Sequence, residues 1–436
     1  MGGFFSKNIE NRIKNSITKL RGYEDLRKAK LVQIGVFVVG IMLIFLLFIW
    51  SYTKITLRGA NCSTINKNYK MDYISDLKSL NDKRNNKMDD DNMTDYGDEQ
   101  DLTTGKDKRK YVRDYRLRDF YIKTAYNCCA SGSYSHDFVD MCALENCIKL
   151  GARCLDFEVY SFDNQPIIAL SSVNDHNIKE TYNYLSFDSV MEKIRAMAFN
   201  ESTDAANGVA YDPMILHFRI KTSNTQVFES MADSIYSNFS DRILTRQYSY
   251  EYNGKDLGNA KIEDLFEKII IIVNKVNDKN NTVINIEDSK LYEYVNVISG
   301  TENMRFYRQD EARLAGDMEN IKNYNKERMS IVLPNKGNTP ANVDWRELSH
   351  KGNSQDPAGV TGYGFQMIGQ CFQYDDAFLQ QYHNDFNSRG GSFVLKPKSL
   401  RSDNPTVVIN AEDVLKIANN SNESRNILGS SSFINS

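Results

Sequence analysis

The stretch Lys149–Tyr160, KLGARCLDFEVY, carries the pattern that decides the fold of this chain. Upstream of Gly151, apolar residues recur at helical spacing, and this glycine can adopt the left-handed conformation that closes a helix. After it, apolar and polar residues alternate with the two-residue period of a strand. The carboxylates of Asp156 and Glu158 therefore leave the same face, near the carboxyl end of a predicted strand.

A pair of acids in this position has two interpretations. In a parallel α/β barrel the carboxyl ends of the strands form the mouth, where active sites are built. Otherwise the two acids are simply solvated at the end of a strand. The region from about residue 110 to 401 favours the barrel, because about eight strand patterns alternate there with helical patterns. The predicted strands are Phe120–Tyr126, Arg153–Val159, Pro166–Leu170, Met214–Ile220, Lys268–Asn274, Tyr292–Ile298, Met329–Pro334 and Gly364–Phe372, and the clearest predicted helices are Phe187–Phe199, Gln226–Asn238 and Asp310–Arg328.

The sequence therefore predicts an α/β fold, a TIM-type (β/α)8 barrel, in the central part of the chain. An open doubly wound sheet is the alternative, but no GxGxxG or Walker-type loop follows any of the predicted strands. The net charge of -3 is close to neutral, so nothing indicates a nucleic-acid partner. The seven cysteines show neither a CxxC pair nor a zinc-like spacing, and most are expected to be buried thiols.

The run from Leu31 to Thr53 contains no charged residue and is long enough to cross a bilayer about 30 Å thick. Trp50 and Tyr52 close it, as an aromatic belt would. We therefore predict one transmembrane helix at residues 31–53, since a buried core helix is rarely apolar all round for this length. The preceding segment, residues 1–30, is richer in basic residues than the region just after the span. This bias predicts a single-pass membrane protein with a cytosolic N-terminus and a lumenal or exterior barrel.

Three features flank the span and the barrel. The N-terminal sequence fits the loose myristoylation pattern, with Gly2 as the site of lipidation. Residues 54–110 are polar and low in complexity, which is typical of a flexible stalk, and residues 402–436 form a tail rich in Ser and Asn. A barrel outside the cytosol would be a glycoprotein if it used its sequons, which begin at Asn61, Asn92, Asn200, Asn238, Asn280, Asn419 and Asn422.

The globular part resembles the catalytic barrel of phosphatidylinositol-specific phospholipase C, with an X-like half at residues 111–275 and a Y-like half at 276–401. The opening stretch is similar to the family's Gly-Cys-Arg-Cys-Leu-Glu-Leu-Asp. Trp345 lies where the Y half usually has a tryptophan, and Lys179–Asn183 is similar to a divergent branch associated with large DNA viruses, which would place the protein in a virion membrane. Five further blocks match in order: Phe120–Asn127, Ser186–Phe199, Pro213–Ile220, Gly364–Gln373 and Ser392–Pro397.

The resemblance implies two catalytic histidines, one that stabilises the charged phosphorane and one that protonates the leaving group. It places the first at Tyr126 and the second at Leu170, although His176 follows six residues later in a region of insertion. The arginine and tyrosine that read the headgroup in the family fall on Ile331 and Leu333. Losing a general acid or base typically lowers the rate about 10²–10⁴-fold. The active site is therefore predicted to be degenerate.

In eukaryotic members the resemblance also implies a calcium ion. Its ligand positions fall on Asn127, Asp156 and Glu158, but the third carboxylate falls on Arg219. A permanent cation at that position opposes a metal, so we expect no calcium and a buried cluster of Arg219 with the two acids. Alternatively, arginine stands in for the metal, as the resemblance implies for the family's bacterial metal-independent members, which nevertheless keep both histidines. His217 alternates onto the same strand face as Arg219 and is predicted to share the barrel interior.

These expectations combine into a membrane protein that displays an inactive barrel and acts as a binding or structural component without a cofactor. A remnant pocket around Arg219, Lys221 and His217 would bind an anionic lipid or phosphodiester. The alternative is an active phosphoric diester hydrolase with relocated catalytic groups, in which calcium is retained and His176 or His217 supplies the acid. A structural role with satisfied hydrogen bonds is the other interpretation of each histidine. Nothing in the sequence predicts an oligomeric state.

Overall fold

The computed structural model describes residues 3–68, 112–172, 178–200, 210–250, 254–274, 285–335 and 362–402. The chain divides into two compact units, Met1–Thr64 and Ile65–Ser436. Gly2, His176, Trp345, residues 69–110 of the predicted stalk and residues 403–436 of the predicted tail lie outside the described residues.

Helix α1 runs from Gly3 to Asn68 and contains the predicted span. It is long and apolar enough to cross a membrane, and its apolar side chains between Leu31 and Trp50 are mostly exposed, as a lipid-facing helix requires. The segment predicted as a stalk from residue 54 is helical as far as Asn68. Extending an existing helix adds one hydrogen bond per ordered residue, which favours this continuation over an abrupt end.

The second unit is built on eight parallel strands, hydrogen-bonded in the order β7-β6-β5-β2-β1-β10-β9-β8. The first and last strands of this path lie side by side without pairing in the part of the chain that is described, so the barrel is nearly closed. The predicted TIM-type barrel is confirmed. The eight strands are β1 Phe120–Ala125, β2 Cys154–Phe162, β5 Met214–Ile220, β6 Ile269–Asn274, β7 Val297–Ser299, β8 Met304–Arg308, β9 Met329–Leu333 and β10 Met367–Gln370.

Three short strands are added antiparallel to the barrel. Strand β3 (Gln165–Ile168) forms a hairpin with β2, and the two turn residues between them, Asp163 and Asn164, both have positive φ, as a tight hairpin requires. Strand β4 (Leu185–Ser186) extends this hairpin, and β11 (Phe393–Leu395) pairs with β1.

Four sequence-based assignments are corrected by this topology. The predicted strand Pro166–Leu170 forms the hairpin rather than a barrel strand, and β8, in which two arginines enclose a pair of aromatic residues, was not predicted. The predicted strand Tyr292–Ile298 begins as helix α6 (Lys290–Tyr294) and becomes β7 only afterwards. The predicted helix Asp310–Arg328 is two helices, α7 (Gln309–Leu314) and α8 (Met318–Glu327), which flank Gly316.

The remaining helices cover the outside of the barrel. Helix α2 ends at Lys149, and Gly151 adopts a φ of 81°, which confirms the helix end that the sequence predicts. Each N-terminus of α2 and α4 is capped by the side chain that precedes it, Asp140 and Asn224 respectively. The helices are α2 Met141–Lys149, α3 Phe187–Met197, α4 Thr225–Phe239, α5 Ile262–Leu265 and α9 Ala377–Asn387.

The outward faces of β2 and β5 are apolar. Phe157 and Phe218 contact each other with ring centroids 5.9 Å apart, and Phe218 lies 5.3 Å from Phe187 of α3. Because side chains alternate along a strand, the neighbours of each phenylalanine on its own strand must face the barrel interior. These neighbours are Asp156 and Glu158 on β2, and His217 and Arg219 on β5. Five cysteines are buried free thiols, which confirms the expectation for most of the seven: Cys128, Cys129, Cys147, Cys154 and Cys371.

Candidate functional site at the barrel mouth

The carboxyl ends of β1, β2 and β5 bring the predicted site residues together inside the barrel. The parallel register sets Asp156 beside His217 and Glu158 beside Arg219 on neighbouring strands. Asn127 follows β1 with a φ of 48°, an uncommon conformation for a residue with a side chain, although asparagine tolerates it better than most. All five side chains are buried.

The guanidinium of Arg219 binds three of these side chains at once. Its Nε and Nη2 donate to the two carboxylate oxygens of Asp156 over 2.9 and 2.7 Å, which is a bidentate pair. Nη1 donates to Oε1 of Glu158 over 2.6 Å, and Nη2 also donates to Oδ1 of Asn127 over 2.5 Å. The predicted cluster of one arginine and two acids is present, and Arg219 is only 1% exposed.

The charges in this cluster stabilise one another. Burial alone would raise the pKa of Asp156, but the charge of Arg219 and hydrogen bonds from His217 and Arg219 hold it well below the ordinary value. Burial alone would lower the pKa of Arg219, but the charge of Asp156 raises it further than burial lowers it. Asp156 is therefore ionised and Arg219 is protonated throughout the physiological pH range.

His217 is held by hydrogen bonds on both ring nitrogens. Its Nδ1 lies 2.7 Å from Oδ1 of Asp156, and its Nε2 lies 2.9 Å from Oγ of Ser299 at the end of β7. Burial lowers the pKa of His217, so the ring is neutral at pH 7. An ionised carboxylate only accepts hydrogen bonds, so we assign the proton to Nδ1, and Nε2 accepts from Ser299. Ser299 accepts in turn from Nδ2 of Asn274 over 3.0 Å.

Glu158 is anchored on its second oxygen as well. The hydroxyl of Tyr160 and the backbone N–H of Ser171 donate to its Oε2 over 2.9 and 3.2 Å. Burial, followed by the negative charge of Glu158, raises the pKa of Tyr160, which therefore stays a donor. With Arg219 on the other oxygen, Glu158 is a fixed structural anion.

Tyr126 occupies the position that the resemblance assigns to a catalytic histidine. Its ring lies 4.7 Å from the guanidinium carbon of Arg219, which is a cation–π contact. Burial raises its pKa, and Arg219 only partly opposes that change, so the phenol is neutral. The buried hydroxyl has no hydrogen-bond partner among the described residues, and neither has Nδ2 of Asn127.

The other family positions are apolar and lie in the core. Leu170, at the second histidine position, is fully buried just beyond β3, and its backbone carbonyl accepts hydrogen bonds from Glu180 and Thr181. Ile331 and Leu333 are buried on β9, where the family reads the headgroup. None of the three carries a group that can bind phosphate or transfer a proton.

Two cations near the mouth make few internal contacts. Lys221 follows β5, and no hydrogen bond joins its ammonium to another described side chain. Burial lowers its pKa to about 8, although the charge of Glu158 opposes the change. Arg308 ends β8, donates from Nη1 to the carbonyl of Pro334 over 2.9 Å and lies over Phe306. Arg308 was missed in the sequence, although alternation along β8 places it on the same face as Phe306.

The residues present do not fit calcium. Calcium requires six to eight oxygen ligands, but the three side chains available, Asn127, Asp156 and Glu158, already accept hydrogen bonds from Arg219. A divalent ion about 4 Å from the guanidinium would be repelled by about 8 kcal/mol at an effective dielectric of about 20.

Comparisons with known proteins agree with this fold. The family profile described as "Phosphatidylinositol-specific phospholipase C, X domain" matches residues 114–275. The crystal structure of L. pealei PLC21 is similar to 66% of this chain, with 18% identity and a TM-score of 0.52. That of S. officinalis PLC21 is similar to 67% of it, with 17% identity and a TM-score of 0.52. The chain spans only 38% of the length of either protein. A search of curated protein sequences finds no match.

Proposed function

Residues 114–275 belong to the X-domain family of phosphatidylinositol-specific phospholipases C, but we propose that this chain is a binding protein that does not hydrolyse phosphodiesters. One observation carries the proposal: Arg219 donates four hydrogen bonds to the three side chains that would otherwise hold a metal. Among the described residues, the charged or basic side chains Asp156, His217 and Arg219 are therefore held in one hydrogen-bonded network, which leaves none of them free to move a proton to or from a substrate.

The contacts at the mouth also narrow the predicted ligand pocket. The donors of Arg219 are used on Asp156, Glu158 and Asn127. His217 donates to Asp156 and accepts a hydrogen bond from Ser299. Lys221 is the third residue of the predicted pocket, and its ammonium has no hydrogen bond to a described side chain. We propose that an anionic lipid headgroup or phosphodiester binds at the mouth through Lys221, with Arg308, whose charge also acts on Lys221, as a second cation.

A second candidate is the active phosphodiesterase with relocated groups. The observation that favours it is Lys221, because a pKa of about 8 lies close to the range of a general acid. Such an enzyme would need a base and a group that stabilises the phosphorane. Within the described residues, Tyr126 and His217 are neutral and do not provide that charge.

For the chain as a whole we propose a single-pass membrane protein. Helix α1 would cross the bilayer through residues 31–53, with the basic segment 1–30 on the cytosolic side and the barrel on the lumenal or exterior side. On that side the sequons of the barrel would be available for glycosylation. Myristoylation of Gly2 and residence in a virion membrane remain predictions from the sequence. Protease added to sealed, right-side-out vesicles should digest the barrel, and protection of the barrel would reverse the orientation.

The test of inactivity is a cleavage assay on the full-length chain in mixed micelles that contain phosphatidylinositol, with soluble phosphodiesters in parallel. We expect no turnover with or without calcium, and no rise in melting temperature at millimolar calcium, where even a weak site stabilises a fold by mass action. A soluble inositol phosphate should raise the melting temperature of the wild type but not that of Lys221→Met. Turnover that is abolished by His176→Ala or Lys221→Met would contradict the proposal and establish the second candidate.

A further inference from the structure

The part of α1 that precedes the predicted span carries an exposed apolar stripe. Ile13, Ile17 and Leu20 recur at intervals of four and three residues, which places them on one face of the helix. Their exposed fractions are 54%, 48% and 67%. The opposite face carries Asn11 and Asn15. This segment is therefore amphipathic, unlike the span that follows, which is apolar all round.

Basic side chains border the stripe on both edges. At 100° per residue, Lys14 and Arg21 fall along one edge, and Arg12 and Lys19 fall along the other. Residues 10–30 carry a net charge of +4, because seven basic residues outnumber three acidic ones. The basic residues are Arg12, Lys14, Lys19, Arg21, Arg27, Lys28 and Lys30, and the acidic ones are Glu10, Glu24 and Asp25.

We propose that residues 10–22 lie on the anionic surface of the same membrane that α1 enters. An apolar stripe bordered by lysine and arginine is the arrangement of an interfacial helix: the stripe enters the headgroup boundary and the long basic side chains reach the lipid phosphates. The proposal rests on the membrane insertion of α1 proposed above, and it adds a second membrane contact outside the span.

Helix α1 is continuous through Gly22, so docking of residues 10–22 on the membrane surface requires the helix to bend, and Gly22 is the position suited to that bend. It lies between the stripe and the span, and no heavy atom outside its own helix backbone lies within 4 Å of the position that a Cβ would occupy. Glycine weakens the helix interior, so a change of direction costs less there than at its neighbours. The charged residues from Glu24 to Lys30 then connect the surface segment with the apolar run.

A second copy of the chain is a less suitable partner for the stripe. A parallel pair of these helices would bring two segments of net charge +4 together, and like charges at short range repel. The heptad that places Ile17 at an a position also puts Glu10 and Glu24 at the neighbouring a positions, where the like charges of two paired helices would meet. An anionic lipid surface neutralises the same charges.

The experiment uses the full-length chain in nanodiscs, with a tryptophan placed on or off the stripe. Ile17→Trp reports from the stripe, and Asn15→Trp is the matched control on the opposite face. The signals of Trp50 and Trp345 are common to both variants. With bromine-labelled lipids that include phosphatidylserine, the tryptophan at 17 should be quenched and blue-shifted, while the tryptophan at 15 stays exposed to water. With phosphatidylcholine alone, the difference should largely disappear.

Charge and hinge variants sharpen the test. Adding Lys14→Gln and Arg21→Gln should lower the ratio of bound to free segment by about 25-fold, since each basic residue contributes about fivefold at an anionic surface. Gly22→Ala should weaken the quenching at 17 without changing the net charge. Equal quenching at 15 and 17 would overturn the proposal. So would shielding of position 17 that persists without anionic lipid and grows with the number of copies per nanodisc, because that result identifies a second copy as the partner.

Resistance of the chain to alkaline carbonate extraction separates the two proposals. A chain that resists extraction but shows no difference between positions 15 and 17 is inserted without surface docking, and only the inference fails. A chain that is released by carbonate does not span the membrane, and then the proposed insertion fails as well.

Discussion

Replacing Arg219 by methionine should destabilise the barrel more than the loss of any surface arginine. Methionine fills most of the same volume but leaves Asp156 and Glu158 buried without their cation. Breaking a buried ion pair by removing one partner typically costs about 3–5 kcal/mol. Both acids keep other donors, namely His217 for Asp156 and Tyr160 for Glu158, so we expect about 4 kcal/mol. For a domain of this size that loss lowers the melting temperature by about 8–16 °C.

The loss should also depend on pH. In the wild type the depressed pKa of Asp156 stabilises the fold above the unfolded value of about 3.9, and this contribution is lost only as the pH falls through the lower folded value. Without Arg219, burial dominates and the folded pKa of Asp156 rises above the unfolded value. The folded variant then binds more protons than the unfolded chain, so acidification stabilises it. The difference from the wild type should therefore shrink between pH 7 and pH 5.

Calorimetry and urea unfolding of the full-length chain in detergent test both statements. The matched control is Arg195→Met, which removes an equally short bidentate pair with Asp241 whose partners are 40% and 54% exposed. An exposed pair contributes about 0–1 kcal/mol, so the control should melt close to the wild type. Arg219→Lys should fall between the two, because lysine keeps the charge but not the planar fork. Equal melting of Arg219→Met and Arg195→Met would refute the reasoning.

Two further predictions concern other buried polar groups. Tyr126→Phe should be neutral or stabilise the fold by up to about 1 kcal/mol, because the hydroxyl has no partner among the described residues. Tyr160→Phe should instead cost about 1.5–3 kcal/mol, because it removes the donor to Glu158. Urea midpoints measure both variants, and the opposite order of stability would contradict the hydrogen-bond assignment. Burial lowers the pKa of Lys123 to about 7, so the unfolded chain binds more protons than the folded chain from about pH 7 to 10, and stability rises with pH in that range. Lys123→Met should reduce this rise. An unchanged slope of the unfolding free energy against pH would contradict the prediction.

The barrel could be predicted because its strands carry strong local patterns. The alternation in β2 and β5 is clear, since apolar residues face the helices and polar residues face the interior. Strand β8 was missed because Arg305 and Arg308 interrupt its apolar period, and their contacts with Tyr324 and Phe306 form only in the folded barrel. Strand β7 was placed too early because the apolar and aromatic residues before it suit either a strand or a short helix.

The sequence predicts which residues form the site, but not how they are hydrogen-bonded. Strand phase places Arg219 beside Asp156 and Glu158, so an ion-pair cluster follows from the sequence. Whether Arg219 remains able to bind a ligand depends on how many of its donors are used, and that depends on Asn127, which lies on a different strand end and takes a left-handed conformation. No local pattern specifies that contact. The same holds for Ser299, which fixes the second nitrogen of His217 from β7, a strand whose position was itself misjudged. Long-range contacts of this kind join the charged residues into one hydrogen-bonded network. Because they use the donors of Arg219, we expect a ligand to contact Lys221 instead.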